Sequence, residues 1–185
     1  MGPSFCRHLR LPLFALLAGL TPPAGADWCG SVQGMGVEGG RTASGDVRVA
    51  RLNLAFPLVR VPDPEGSWRQ CLGFQASLGT LTAADPAPDE NDQLTETAAR
   101  FLFRLHPGAA VWYLEAGTGV VHLSDTTLGS RDLGSLTQFR SHLGLGIHPA
   151  PRLELVARLS HTSNAGLAEP NPGINLGTLE LAYVP

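Results

Sequence analysis

Lysine is absent from this chain of 185 residues, in which all 13 basic residues are arginine and 16 residues are acidic. The resulting formal net charge of −3 leaves no basic surface of the kind that binds nucleic acid. We therefore expect no nucleic-acid partner. The length suits a single domain.

Long apolar runs are also lacking, because no segment reaches the ~20 residues that a membrane-spanning helix requires. The short apolar run at residues 11–20 follows Arg7 and Arg10 and precedes the small residues 24–26, Ala-Gly-Ala. This order is typical of a secretory signal peptide. We predict that residues 1–26 are a signal that is removed, which leaves a mature chain of residues 27–185.

Cysteine is scarce, with three residues, and none lies in a CxxC or histidine-rich spacing that would indicate a redox or metal site. Cys6 would leave with the signal. The remaining pair, Cys29 and Cys71, is predicted to form a structural disulfide in an oxidising compartment. No metal or cofactor is expected.

Alternation of apolar and polar residues is the dominant pattern of the mature chain, and it predicts β-strands. Seven segments show it clearly, and a glycine-rich eighth at about 31–40 shows it weakly. The seven segments are 46–58, 68–79, 98–106, 111–122, 137–148, 152–163 and 175–184. Eight antiparallel strands of about ten residues are the smallest barrel that spans an outer membrane.

The polar faces of these strands carry arginine and glutamate of both signs: Arg51, Arg100, Arg104, Glu115, Arg140, Arg152, Glu154, Arg158 and Glu180. If these faces point outward, the chain is a soluble, lipocalin-like barrel with an apolar lumen. If they point inward, it is an all-β, eight-stranded antiparallel transmembrane barrel with a polar interior. Parity within a strand does not distinguish the two.

The connections favour the membrane barrel. Tight turns at 106–110 and 148–151 alternate with long polar loops at 82–96, 124–134 and 164–174. Outer-membrane barrels have short periplasmic turns and long external loops. This assignment predicts a bacterial outer-membrane location.

His161 and Ser163 continue the apolar face of the segment 152–163, after Leu153, Leu155, Ala157 and Leu159. Residues i and i+2 of a strand point to the same side, with Cα atoms roughly 6.6 Å apart. A hydroxyl beside an imidazole is the minimum for nucleophilic ester chemistry. We expect the pair at the external end of the strand.

The motif HTSNAG at residues 161–166, followed by PNPG at 170–173 and a final strand, resembles the PagL-type lipid A 3-O-deacylases. The likeness is strong from about Tyr113 onward and architectural before it. It implies an outer-membrane serine esterase with His161 as general base and Ser163 as nucleophile. The third member departs from the family, which carries Glu where this chain has Asn175. An asparagine can orient an imidazole but cannot stabilise an imidazolium as a carboxylate does.

The loop after Ser163 supplies the other candidates. Asn164, the backbone N–H of Gly166, and Asn171 are candidate donors for an oxyanion hole, although the same residues also make good turns without catalysis. Glu169 is a candidate substitute acid, although a solvated loop residue is the commoner case.

The sequence therefore predicts an enzyme that hydrolyses the 3-position acyl ester of lipid A, with lipopolysaccharide and outer-membrane lipids as partners and a homodimer left open. Three alternatives remain. In the first, the protein is a barrel that has lost activity because Asn replaces Glu. In the second, it acts on another lipid ester. In the third, it is the soluble lipid carrier.

Overall fold

Eight antiparallel strands close into a barrel in the computed structural model, which describes residues 34–61, 67–108 and 110–184. The barrel strands are β1 (Gly34–Arg41), β2 (Val47–Val61), β3 (Trp68–Ala83), β4 (Gln93–Pro107), β5 (Trp112–Leu123), β8 (Thr137–Ala150), β9 (Leu153–Ser163) and β10 (Ile174–Tyr183). Two short strands, β6 (Thr127–Leu128) and β7 (Arg131–Asp132), form a hairpin between β5 and β8. Around the barrel the strands pair in the order β1, β2, β3, β4, β5, β8, β9 and β10, and β1 closes the barrel by pairing with β10.

The predicted fold class is confirmed, including the weak eighth strand, which is β1. The alternation within each strand now has a direction, because charged side chains such as Arg51 and Glu180 are buried inside the barrel. Leucine and phenylalanine side chains face outward, with Leu143 70 % and Leu159 74 % exposed. A lipocalin has the opposite arrangement, so the soluble-carrier alternative is wrong.

Ion pairs fill the middle of the barrel and satisfy the buried charges. Arg51 bonds to Glu96 and lies 2.9 Å from Glu38, and Arg140 donates to Glu96 at 2.6 Å. Arg158 donates to Glu115 at 2.6 Å. Buried charges are tolerated when they are paired and hydrogen-bonded, which explains why both signs alternate with apolar residues along these strands.

Arg152 is an exception to the predicted polar interior. It lies in the exposed turn before β9, so it is not part of the strand whose alternate side chains point into the barrel. Its guanidinium bonds at 3.4 Å to the Tyr183 hydroxyl. The strands also run longer than the predicted ten residues, up to 16 in β3. Among the described residues there is no helix that is long and apolar enough to cross a membrane.

An apolar cluster fills the external end of the barrel, on the side of the long loops. Strand residues Val47, Leu81 and Val121 pack there with Leu128 and Leu133 of the β6–β7 hairpin and its exit. Burial of these side chains fixes the hairpin against the barrel mouth. The hairpin thereby becomes a support for the loop that joins β9 to β10.

Two predictions concern residues outside the described ranges. The signal peptide at residues 1–26 and Cys29 both lie there. Cys71 is buried on the inner face of β3 and is disulfide-bonded. Pairing of Cys71 with Cys29 stays a prediction.

Candidate active site

His161 and Asn175 are brought side by side by the pairing of β9 with β10, in which they are direct partners. Both side chains are exposed on the outer face of the barrel. Oδ1 of Asn175 lies 2.8 Å from Nδ1 of His161. When the amide oxygen accepts this hydrogen bond, Nδ1 carries the proton and Nε2 keeps the lone pair of a general base.

Ser163 ends β9 on the same outer face as His161 and is half-buried. In the described part of the chain, the imidazole hydrogen-bonds to Asn175 and not to this hydroxyl. Catalytic contacts of this kind often tighten only when substrate binds. Because Ile174 pairs with Thr162, Gly173 comes next to Ser163 at the end of the ladder. A Cβ at Gly173 would approach Cε1 of His161 to 2.9 Å and Nε2 to 3.5 Å. The Nε2 edge of the ring therefore faces the end of the strand where Ser163 lies.

The loop 164–173 is held by its own asparagines. Asn164 is fully buried, and its amide nitrogen donates to the carbonyl groups of Leu133 at 3.1 Å and Ala168 at 2.9 Å. Its backbone N–H donates to Oδ1 of Asn171, and the N–H of Gly166 donates to Oδ1 of Asn164. These bonds shape the loop as the turn chemistry predicts. They also engage the N–H groups of Asn164 and Gly166, so a role in an oxyanion hole requires the substrate to exchange with these contacts.

Arg131 of the hairpin ties the end of this loop to the barrel. It donates to the Gly173 carbonyl at 2.8 Å and pairs with Asp46 of the β1–β2 loop at 2.8 Å. Hydrogen bonds from the Ser44 and Thr42 hydroxyl groups lower the pKa of Asp46 to about 2, and the Arg131 guanidinium acts in the same direction. The Asp46–Arg131 pair is therefore ionised at neutral pH, and it fixes the glycine that borders the imidazole.

Ser141 of β8 lies on the other side of His161, as its direct cross-strand partner. Its hydroxyl is 3.2 Å from that of Thr118 on β5. A row of outward polar side chains thus crosses four strands, from Thr118 through Ser141 and His161 to Asn175. In a band of exposed leucines, this row offers hydrogen bonds to the polar part of a lipid.

An open groove of about 510 Å³ runs along the outer surface below this row. Its lining includes His161, Asn175, Leu143, Leu159 and Gly177. A second groove of about 810 Å³ shares the last three of these residues and extends towards β1 and β2. The site therefore opens onto the apolar face of the barrel, not into its polar interior.

The family model of the lipid A 3-O-deacylases (PagL) matches residues 53–184 of this chain. The chain belongs to the PagL family. The match covers all barrel strands from the middle of β2 onward and includes every candidate catalytic residue.

Two relatives within the PagL family are named lipid A deacylase. The protein of Bordetella bronchiseptica is 42 % identical over 72 residues, which are 39 % of this chain and 40 % of the relative. That of Pseudomonas aeruginosa is 42 % identical over 62 residues, which are 34 % of this chain and 36 % of the relative. The aligned part thus spans about two fifths of each relative.

Solved structures support the same fold. The crystal structure of the outer membrane enzyme PagL superimposes with a TM-score of 0.68 at 23 % identity, covering 80 % of this chain and 97 % of that one. The N-terminal barrel domain of OprF from Pseudomonas aeruginosa superimposes with a TM-score of 0.53 at 11 % identity, covering 83 % and 97 %. This PagL family member is therefore an eight-stranded barrel of the outer-membrane type.

The sequence-predicted residues are only partly brought together. His161, Ser163 and Asn175 share the outer face at the external end of β9 and β10. Glu169 is exposed in the loop, and it is Asn175 that occupies the Nδ1 side of the imidazole. Within the described part of the chain, no group of three histidine, cysteine or acidic residues could hold a metal ion.

Sequence reasoning missed Ser141, Gly173 and Arg131. The outward parity of Ser141 within its strand was a usable signal, since a lone serine follows Phe139 and precedes Leu143 on the apolar face. The contacts of Arg131 had no signal in the sequence, because its partner Gly173 lies 42 residues away.

Proposed function

We propose that this protein is a serine esterase of the outer membrane that removes the ester-linked acyl chain at the 3-position of lipid A. The observation that carries the proposal is the Asn175–His161 hydrogen bond on the lipid-facing side of the barrel, two residues from Ser163. A lipid in the outer leaflet reaches such a site without leaving the membrane. The family membership and the names of the two relatives, both lipid A deacylases, support lipid A as the substrate.

The proposed reaction begins when Oγ of Ser163 attacks the ester carbonyl and its proton passes to Nε2 of His161. The tetrahedral oxyanion collapses, and the sugar oxygen leaves with the proton that the imidazolium returns. This step forms an acyl ester on Ser163. Water, deprotonated by His161, then hydrolyses that ester and releases the fatty acid, which restores the serine.

Asn175 orients the imidazole by accepting the Nδ1 proton in a hydrogen bond. Because the amide is neutral, it offsets less of the imidazolium charge than a carboxylate would. We expect a slower chemical step than in a family member with glutamate there. The donors of the oxyanion hole are proposed among Asn164, Gly166 and Asn171, after the loop contacts exchange for the substrate.

The chain reaches the membrane, in this proposal, through export directed by residues 1–26. Strands β8, β9 and β10 of one chain supply the row of site side chains from Ser141 to Asn175, so a homodimer is not required for the chemistry. Dimerisation stays a prediction, and the proposed activity does not depend on it.

The neutral Asn175 also favours a second candidate function, a barrel that is inactive on lipid A or acts on another lipid ester. Mass spectrometry of lipid A from cells that express the wild type, Ser163→Ala or the surface control Ser130→Ala separates the candidates. Loss of one hydroxyacyl chain with the wild type and with Ser130→Ala, but not with Ser163→Ala, supports the deacylase. Unchanged lipid A with all three proteins in the outer membrane supports the second candidate.

A further inference from the structure

Arg41 and Arg48 face outward at the external end of the barrel, close to the proposed active site. Arg41 is the last residue of β1, Arg48 is the second residue of β2, and the two are direct cross-strand partners. Both side chains are exposed. Like charges directly opposite each other in a sheet are destabilising unless another group neutralises them.

No acidic side chain of the described residues neutralises this pair. Asp46, two residues before Arg48, bonds instead to Arg131, Ser44 and Thr42. The cross-strand neighbours on the far sides are Gly177 for Arg41 and Thr82 for Arg48, and neither carries a charge. Two exposed guanidinium groups are thus presented together on the outer face, at the external end of the barrel.

The same two arginines line the larger groove, together with Leu143, Leu159 and Gly177. Those three residues also line the groove beside His161 and Asn175, so the two grooves are continuous. Arg41 pairs with Gly177, which pairs with Leu159, two residues before His161. Two strand spacings and two residues along the strand place the Cα atoms of Arg41 and His161 roughly 12 Å apart.

This layout fits an amphiphile that carries a phosphate near its ester. With such a lipid bound, an acyl chain would lie along the leucines, the ester would reach Ser163, and the long arginine side chains would extend over the intervening sugar. Arginine binds phosphate with paired, charge-assisted hydrogen bonds, and two adjacent guanidinium groups match the charge of a phosphomonoester. We propose that Arg41 and Arg48 bind a phosphate group of the lipid A substrate and so hold the lipid in the groove that leads to His161. The proposal rests on the function proposed above.

The test measures binding separately from catalysis. Ser163→Ala protein, purified in detergent, is titrated with phosphorylated lipid A and with the same lipid after dephosphorylation, and bound lipid is quantified by native mass spectrometry. We expect the phosphorylated lipid to bind about 10- to 100-fold more tightly, the range that charge-assisted hydrogen bonds supply. Adding Arg41→Gln and Arg48→Gln should remove that preference without weakening binding of the dephosphorylated lipid.

The matched control is Arg152→Gln, which removes an exposed arginine at the opposite end of the barrel and should leave the preference unchanged. Inorganic phosphate, added as a competitor, distinguishes a free anion from a lipid headgroup. Displacement of the lipid by phosphate at comparable concentrations would overturn the assignment to the lipid. A preference that survives the double substitution would overturn the site itself.

Activity measurements keep this inference distinct from the proposed function. In the catalytically competent protein, the double substitution should raise KM for phosphorylated lipid A and leave kcat nearly unchanged. A phosphate preference in binding, combined with no deacylation by the wild type, would retain the arginine site and reject the esterase. Deacylation that does not change when the lipid phosphate or both arginines are removed would retain the esterase and reject the arginine site.

Discussion

Replacing Asn175 by aspartate tests the central feature of the site, its neutral third member. Aspartate has the length of asparagine, so one carboxylate oxygen takes the position of Oδ1, 2.8 Å from Nδ1 of His161. The imidazole becomes charged as Ser163 attacks, and a hydrogen bond between charged groups is stronger than one to a neutral acceptor by about 1 to 2 kcal/mol. We expect Asn175→Asp to raise kcat by roughly 5- to 30-fold.

This magnitude assumes a hydrated pair, because both side chains are exposed on the barrel surface. A low-dielectric Coulomb energy would exaggerate the effect. The assay is release of the acyl chain from lipid A in detergent micelles at saturating substrate, with heat-modifiable gel mobility as the check on folding. Saturation matters because a new negative charge near the lipid phosphates should also raise KM.

Asn91→Asp provides the matched control, since it adds the same charge to an external loop whose amide contacts Thr127 and not the imidazole. It should leave kcat unchanged. If folded Asn175→Asp protein is no faster than the wild type, stabilisation of the imidazolium charge does not limit the rate. The proposed role of Asn175 would then be wrong.

Three further predictions concern the surroundings of the imidazole. Gly173→Ala should lower kcat about 10- to 100-fold, because the φ of 63° disfavours a side chain and the new Cβ displaces the ring of His161. The barrel should lose little stability, and unchanged single-turnover rates would contradict this prediction. Arg131→Gln should lower kcat about 2- to 5-fold because the Gly173 carbonyl loses its hydrogen bond, and Arg131→Lys should restore part of the rate. Equal rates for both variants in the acyl-release assay would show that this hydrogen bond does not support the site. Gly177→Leu should fill the groove beside Leu159 and lower kcat/KM for long-chain esters about tenfold while sparing short-chain esters, and equal losses on both ester classes would show that the groove does not hold the chain.

The composition of the candidate site was partly predictable from the sequence. The motif around His161 and Ser163 predicts the chemistry, and strand parity places Asn175 on the same face as His161. The register between β9 and β10 did not follow from parity, because a slip of two residues preserves every face and yet separates Asn175 from the imidazole. In the structure, the pair is in direct register.

Most of the contacts that reach the site from other parts of the chain were not predictable from the sequence. Ser141 reaches His161 through β8, which is 20 residues earlier, and Arg131 reaches Gly173 from a hairpin whose strands have two residues each. Arg41 and Arg48 become a pair near the site only when β1 pairs with β10. The Arg131–Gly173 contact and the approach of β1 to the site depend on the tertiary fold, whereas the outward parity of Ser141 is visible in its own strand.

Which side chains of each strand share a face follows from the amino-acid sequence alone, because the period of two is a property of the extended backbone. The family also follows from the sequence, through the motif at residues 161–173. The direction of the faces required the folded barrel, in which the charged faces point inward and their arginine and glutamate side chains neutralise one another. The apolar faces, with His161, point outward to lipid. A single strand can present either face to the interior. A closed barrel of eight strands has a narrow interior that fills with side chains, and here paired charges fill it.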